Sequence, residues 1–125
     1  MDKAQALHSF WSSFSLPAYD EASVPSGDDT PQFPYITYTV ATDALDGSLP
    51  LVASLWYKST SWREITLKSE EIARRIETME RPIPLDTGYL WIVRGTPFAQ
   101  RMAEPDDNTI RRILLNIVAE FLTPY

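Results

Sequence analysis

Prolines divide this chain into short segments more sharply than any other feature of its sequence. Four of the ten prolines, Pro17, Pro25, Pro31 and Pro34, fall within one stretch, residues 16–34. A proline has no backbone N–H group, so it interrupts the hydrogen bonding of a helix interior or a central strand. We therefore predict a long extended loop at 16–34, and a loop of this length in a small domain is usually functional or mobile.

Size and charge narrow the class of protein. The 125 residues fit a single domain, residues 1–125, and 44% hydrophobic residues suffice for one core. The net charge of −6 disfavours nucleic-acid binding, which needs a basic surface, and we expect no direct sequence-specific contact with nucleic acid.

The absence of cysteine excludes disulfides and thiolate metal sites. We expect no signal peptide and no membrane contact, since no apolar run approaches the roughly 20 residues that cross a bilayer.

Residue spacing predicts a helix followed by a hairpin. The helical face consists of Leu7, Phe10, Trp11 and Phe14, which recur at positions i, i+3, i+4 and i+7. Residues 35–42 are almost all β-branched or aromatic, as is typical of a strand. We expect them to pair in an antiparallel hairpin with a second strand at 51–58, around a turn at 43–50.

A second helix and a third strand follow in the sequence. Ser61 and Glu64 match a capping box, in which each side chain satisfies an unpaired backbone donor at the start of a helix. The predicted buried stripe of this helix consists of Ile65, Ile72, Ile76 and Met79. Residues 89–94 predict the third strand. Together the elements predict an α+β fold, an antiparallel sheet with helices packed on one face.

The C-terminal segment, residues 110–122, fits two periodicities. Helical spacing is matched by Ile110, Ile113, Leu114, Ile117, Val118, Phe121 and Leu122. Strand alternation is matched by Ile113, Leu115, Ile117, Ala119 and Phe121. Periodicity alone slightly favours the helix.

Patterns that carry catalysis or metal binding are sparse. His8 is the single histidine, and the adjacent Ser9 does not face it on a helix. The acidic pairs at 28–29 and 106–107 lack the ligand spacing of a calcium loop, and the four glycines form no phosphate-binding motif. We therefore expect no catalytic residues, no metal and no cofactor.

Aromatic and arginine residues are the candidates for binding other proteins. Aromatic residues make up 12% of the chain, and they are enriched at subunit contacts. Trp62, at the predicted capping box beside two serines, is the best candidate for an exposed one. The pairs Arg74–Arg75 and Arg111–Arg112 are either ordinary exposed charges or partners in ion pairs across a subunit interface.

Several motifs, taken in order, resemble a known family. The motifs are Phe14–Tyr19, Val24–Pro25, Phe33–Tyr38, Ala53–Trp62, Trp91–Ile92, Gly95–Phe98, Arg101–Met102, Asp106–Asp107, Ile110–Arg112 and Glu120–Leu122. This ordered set resembles the small tail-terminator or tail-completion proteins, the "minor capsid" or "tail component" proteins of long-tailed phages and prophages of Gram-positive bacteria. The resemblance covers nearly the whole chain.

The resemblance implies a structural virion protein and no enzyme. Members of the family form a ring, usually hexameric, that caps the tail tube and joins it to the head connector. The implied partners are further copies of the chain, the major tail tube protein and the head–tail connector proteins. The implied location is the neck or tail of the virion, and the host cytoplasm during assembly. The implied fold is a small antiparallel sheet of about four strands with helices packed on one face and with residues 110–122 as a strand.

Ring assembly points to particular interface residues. The proline-rich loop at 16–34 is pre-extended, so little conformational entropy is lost when it lies across a neighbouring subunit. The candidate residues of a subunit or partner interface are Tyr19, Val24, Pro25, Trp62, Arg63, Arg74, Arg75, Arg111 and Arg112.

Three alternatives stay open from the sequence. The first is another neck component, such as a head-closure or connector protein. The second is a small ligand-binding domain with a pocket lined by Trp56, Trp62 and Trp91. The third is a hydrolase that uses His8 with Asp20 or Glu21.

Overall fold

A computed structural model describes residues 1–43 and 47–124. It contains two helices, α1 (Lys3–Ser12) and α2 (Arg63–Glu77). The strands are β1 (Ala18–Asp20), β2 (Tyr35–Tyr38), β3 (Ser48–Lys58), β4 (Ile83–Leu85), β5 (Gly88–Met102) and β6 (Ile110–Leu122). The predicted α+β class is confirmed. The expectation of about four strands is wrong, because six strands form the sheet.

The six strands form one sheet in the order β1-β2-β3-β6-β5-β4. All neighbouring strands are antiparallel except β1 and β2, which are parallel. The central pair is β3 and β6, which stay in register from Ser48 opposite Glu120 to Lys58 opposite Ile110. The other strands extend the sheet on either side of this central pair, with β2 and β1 beyond β3, and with β5 and β4 beyond β6.

The C-terminal segment 110–122 is a strand, as the resemblance implied. Its buried residues are Ile113, Leu115, Ile117, Ala119 and Phe121, the alternating set visible in the sequence. Because successive side chains of a strand point to opposite faces, this alternation gives the sheet one apolar face along its centre.

Both helices pack against that apolar face. The buried residues of α1 are Ala6, Leu7, Phe10 and Trp11, and those of α2 are Ile65, Ser69, Ile72 and Ile76. The two helices are also tied to one another: the Lys68 ammonium donates to the Phe14 carbonyl oxygen over 3.0 Å, and the Arg75 guanidinium donates to Ser13 Oγ over 3.2 Å. No helix among the described residues covers the opposite face of the sheet, and we call it the open face.

The prediction of an unbroken extended loop at 16–34 is wrong in part. Residues Ala18–Asp20 form strand β1, and two short 3₁₀ turns follow at Glu21–Ser23 and Gly27–Asp29. Pro17 contributes to the sheet, because its carbonyl oxygen accepts a 2.8 Å hydrogen bond from the Ile36 N–H. A proline lacks the donor but keeps the acceptor, so it does not prevent pairing at the end of an edge strand.

The predicted capping box at Ser61 and Glu64 is also wrong. The helix begins one residue later than expected, at Arg63, with Trp62 at the N-cap position and no side-chain cap. The Ser61 hydroxyl instead accepts a hydrogen bond from the Arg63 N–H over 3.1 Å. A capping box is present at the start of α1, where Asp2 and Gln5 exchange hydrogen bonds between side chain and backbone.

Three strand boundaries differ from the prediction. The first predicted strand, 35–42, ends at Tyr38. The third predicted strand, 89–94, is the first part of a longer strand that runs to Met102, with an irregularity in its pairing with β6 between Arg94 and Ala99. Pro97 lies inside that irregularity, where no ladder donor is needed. Part of the predicted turn at 43–50 belongs to β3, which starts at Ser48, and residues 44–46 lie outside the described part of the chain.

Candidate assembly surfaces

Trp62 is half-buried and lies against two arginine side chains. The Cζ atom of Arg101, on β5, is 4.8 Å from the centroid of the Trp62 ring, and the Cζ atom of Arg111, on β6, is 5.2 Å from it. A guanidinium over an indole is attracted by the ring quadrupole, by about 0.5–1 kcal/mol at an exposed site. We call Trp62, Arg101 and Arg111 the arginine–tryptophan cluster.

Arg111 is fixed in place by backbone carbonyl groups. Its guanidinium donates to the carbonyl oxygens of Asn108 (2.9 Å), Ile110 (3.2 Å) and Thr60 (2.8 Å). Its Nε atom is buried and has no hydrogen-bond partner among the described residues. Carbonyl groups orient a guanidinium without neutralising its charge, so the positive charge of Arg111 is left unbalanced at this surface.

The connection between β5 and β6 borders this cluster and is internally hydrogen-bonded. The carboxylate of Asp107 accepts from the Thr109 N–H over 2.8 Å and from the Thr109 hydroxyl over 2.6 Å. These hydrogen bonds lower the pKa of Asp107 below its ordinary value, because they stabilise the charged form. The Thr109 carbonyl oxygen in turn accepts from the Ser59 N–H over 2.6 Å, which ties this connection to the one that leads into α2.

The open face carries a row of three aromatic residues and one arginine across four adjacent strands. The Tyr19 and Tyr35 rings meet edge to face with centroids 6.1 Å apart, and the Tyr35 and Trp56 rings stack with centroids 6.1 Å apart and 14° between their planes. The Arg112 Cζ atom then lies 4.8 Å from the Trp56 ring centroid. We call Tyr19, Tyr35, Trp56 and Arg112 the open-face ladder; all four are half-buried.

Polar side chains lock the ladder to the sheet. The Trp56 indole N–H donates to the Thr37 hydroxyl over 2.9 Å, and the Arg112 Nε donates to the Ser54 hydroxyl over 3.1 Å. Burial is the main cause that raises the pKa of Tyr35, with a smaller contribution from Tyr19. Two of the predicted interface residues, Tyr19 and Arg112, therefore belong to one continuous surface.

The other predicted residues of the proline-rich segment lie beyond β1. Val24 is exposed and Pro25 is half-buried, between the two 3₁₀ turns. They are not part of the open-face ladder. The proline-rich segment meets that ladder through Tyr19 and through Phe33, whose ring centroid is 5.2 Å from that of Tyr35.

The predicted arginines of α2 have different surroundings. Arg63 and Arg74 are exposed, and no carboxylate among the described residues lies within ion-pair distance of either. Arg75 is also exposed, but its side chain makes contacts within the chain. Its Cζ atom is 4.9 Å from the Phe14 ring centroid, and its guanidinium donates a hydrogen bond to Ser13. Arg75 thus stabilises the contact between the two helices.

His8 contacts neither of the carboxylates that a hydrolase would need. Its Nδ1 atom is 2.7 Å from the Tyr38 hydroxyl, and its Nε2 atom is 3.3 Å from the Ser12 hydroxyl. The Asp20 carboxylate accepts instead from the Ala22 N–H over 2.9 Å. The geometry brings His8 to a buried tyrosine, whose pKa is raised chiefly by burial and also by Asp20.

The three tryptophans proposed for a ligand pocket lie in different places. Trp56 lies in the open-face ladder, and Trp62 lies in the arginine–tryptophan cluster. Trp91 borders an open cavity of about 270 Å³ between α2 and β5, beside Ile76 and Met79. The structure therefore does not bring them into one pocket.

Within residues 1–43 and 47–124, no group of three or more histidine, aspartate or glutamate side chains is arranged to hold a metal ion. No helix among these residues is long and apolar enough to cross a bilayer.

Three residues of these surfaces were not among the interface residues predicted from the sequence. Arg101 lies in the arginine–tryptophan cluster because β5 continues past Pro97 to Met102. Tyr35 and Trp56 carry a visible signal, because they alternate with the buried Ile36, Leu55 and Tyr57 and so must point to the other face.

The fold has a counterpart among solved structures. No protein-family model matches the chain, and the curated proteins gave no match. A solved structure described as "Virion of native gene transfer agent (GTA) particle" contains a chain that matches with a TM-score of 0.58 and 18% sequence identity. The match covers 95% of this chain and 90% of that chain. The chain therefore shares, over nearly its whole length, the fold of a chain from a gene transfer agent virion.

Proposed function

We propose that this chain is a structural component of a phage or phage-like virion, and that within it the chain serves as a tail terminator or tail-completion protein. In this role, copies of the chain form a ring that caps the tail tube and joins it to the head connector. Its partners are then other copies of itself, the major tail tube protein and the head–tail connector proteins.

The observation that carries the proposal is the full-length likeness to a chain of a gene transfer agent virion. At 18% identity this likeness concerns the fold. It agrees with the independent resemblance of the ordered sequence motifs to tail-terminator proteins, which includes the C-terminal strand at Ile110–Leu122.

The surfaces of the molecule are suited to assembly. Interfaces are enriched in tyrosine, tryptophan and arginine, and these are the residue types of the open-face ladder and of the arginine–tryptophan cluster. The two surfaces lie on different parts of the molecule, so a subunit has more than one place at which to contact a partner.

We also propose that the chain has no enzymatic role. The support comes from His8, whose ring contacts Tyr38 and Ser12 and not an orienting carboxylate. General acid–base catalysis by a histidine–carboxylate pair needs the two groups within hydrogen-bond reach.

Deletion of the gene in the phage or prophage that encodes the chain tests the role. We expect heads and tails to accumulate separately in electron micrographs, and wild-type protein supplied in trans to restore joined particles. His8→Ala supplied in the same way should restore them equally well, because the role is structural. A normal yield of joined particles without the protein would contradict the proposal. Normal tails beside heads that have lost their DNA would favour the head-closure alternative.

A further inference from the structure

We propose that the arginine–tryptophan cluster of one copy binds the acidic segment of a second copy in a head-to-tail contact. The acidic segment begins at the last residue of β1 and carries Asp20, Glu21, Asp28 and Asp29. The inference rests on the proposed function only in that it takes another copy of this chain as the partner.

The cluster has positive charge that nothing in the described part of the chain neutralises. Arg101 is exposed and contacts the Trp62 ring, and the hydrogen bonds of Arg111 go to carbonyl groups. No carboxylate among residues 1–43 and 47–124 lies within ion-pair distance of either guanidinium. Two like charges on one indole repel each other, so an anion between them is favoured.

The acidic segment carries exposed negative charge that complements the positive charge of the cluster. Glu21, Asp28 and Asp29 are exposed, and none of them has a cationic partner in the described structure. The backbone that carries Asp28 and Asp29 is ordered by a 3₁₀ turn, in which the Thr30 N–H and hydroxyl both donate to the Gly27 carbonyl oxygen. A pre-ordered carboxylate pair loses little conformational entropy on binding.

The topology keeps these two charged surfaces apart within one chain. The acidic segment follows β1, which is one edge of the sheet. Arg101 lies near the other edge, because β4 pairs only with Gly88–Leu90 and leaves the rest of β5 without an outer neighbour. Four strand spacings separate β1 from β5, about 19 Å, which is far beyond the reach of an ion pair. A contact between the acidic segment and the arginine–tryptophan cluster therefore joins two copies.

A contact between two different surfaces has a consequence for assembly. Each copy presents the cluster on one side and the acidic segment on the other, so the contact is heterologous and propagates from copy to copy. Such contacts close into rings when the rotation per subunit allows it. The charge complementarity also explains how a chain of net charge −6 associates with itself, since Arg101 and Arg111 meet carboxylates of the neighbouring copy.

Cross-linking tests this contact directly. The chain contains no cysteine, so only introduced thiols react. The double variant Ser26→Cys/Ala103→Cys places one thiol beside Asp28 and one beside Arg101, both at exposed positions, and leaves the charged residues in place. It is treated with a short bis-maleimide reagent, which spans side chains too far apart for a disulfide. The protein is tested both in purified particles and as a concentrated solution. We expect a ladder of covalent multimers on a denaturing gel, and no ladder from the control Ser26→Cys/Arg81→Cys, because Arg81 is exposed elsewhere on the molecule.

Charge reversal provides an independent measurement. Arg101→Glu should weaken self-association, followed by native mass spectrometry, about tenfold. Asp28→Arg should do the same, and the combination Arg101→Glu/Asp28→Arg should recover most of the loss. The control Arg81→Glu should leave self-association unchanged.

The outcomes separate this contact from the proposed function. Incorporation of the cysteine variant into particles without any cross-linked ladder would overturn the contact and leave the virion role intact. A ladder in the concentrated solution, together with absence of the protein from particles, would support the contact and contradict the virion role. Absence of a ladder in both samples, with no rescue by the double charge reversal, would also overturn the contact.

Discussion

Tyr35 and Trp56 lie directly opposite each other on β2 and β3, and their rings stack with 14° between the planes. Cross-strand pairs of this kind stabilise a sheet without help from a helix. They give the open face an ordered, half-buried aromatic surface, while the opposite face is covered by α1 and α2. The molecule therefore has one face for its own core and another with the composition of an interface.

Trp56→Leu should destabilise the fold through the open face. The substitution removes the stack with Tyr35 and the hydrogen bond to Thr37, so we expect a loss of about 1–2 kcal/mol in the free energy of unfolding. Urea denaturation followed by circular dichroism measures it. Leu67→Ala, at an exposed position of α2, serves as the control and should change stability by less than about 0.5 kcal/mol. Equal stability of the two variants would contradict a structural role of the ladder.

Arg75 and Arg74 should behave differently although they are adjacent. Arg75→Ala removes the contact with Phe14 and the hydrogen bond to Ser13, and it should lower the free energy of unfolding by about 1 kcal/mol. Arg74→Ala should change it by less than about 0.5 kcal/mol, because the exposed Arg74 side chain has no ion pair among the described residues. Thermal denaturation of both variants compares them, and a larger effect of Arg74→Ala would refute the assignment.

Gly88 lies where a side chain has no room. A Cβ atom there would collide with the Leu122 carbonyl oxygen, so Gly88→Ala should force β5 away from β6 and destabilise the protein by about 2 kcal/mol. Gly27→Ala is the matched comparison. Its Cβ atom would meet nothing within 4 Å, and only the left-handed backbone, with φ of +67°, should cost about 1 kcal/mol. Chemical denaturation should rank Gly88→Ala as the less stable variant, and the reverse order would contradict the packing at Gly88.

Asp107 should make stability depend on pH in the acidic range. Its hydrogen bonds with Thr109 lower its pKa in the folded state below the ordinary value of 3.8. The ionised carboxylate therefore stabilises the fold above that value, and the contribution is lost as the pH falls through the lowered pKa. Asp107→Asn should be less stable than the wild type at pH 7, and melting temperatures of the two proteins should converge near pH 2. A constant difference from pH 7 to pH 2 would contradict this explanation.

The strand at 110–122 shows what the sequence could and could not decide. Ile113, Ile117 and Phe121 are compatible with both helical and alternating spacing, so periodicity left two solutions. The resemblance to tail-terminator proteins favoured the strand, and the long ladder with β3 confirms it. Pairing with a distant strand decides between a helix and a strand, and the local sequence pattern carries no information about that pairing.

The missed features have the same origin. Strand β1 escaped prediction because its three residues lie between prolines and are held by pairing with β2. Arg101 was not predicted as an interface residue, because it lies beyond the predicted third strand at 89–94. The observed strand continues through Gly95 and Pro97, which the sheet accommodates in an irregularity opposite Asn116. The candidate surfaces were predicted in part. Tyr19 and Arg112 lie in the open-face ladder, and Trp62 and Arg111 lie in the arginine–tryptophan cluster. Their grouping into two separate surfaces depends on tertiary structure.

The location of the chain in assembled particles tests the central claim most directly. Particles purified on a density gradient from the strain that encodes the chain can be analysed by quantitative mass spectrometry, and labelled with gold-conjugated antibodies against the protein. We predict a fixed number of copies per particle, with the label at the junction of head and tail. Particles that are intact and infectious, yet contain no copies of the chain, would contradict the account.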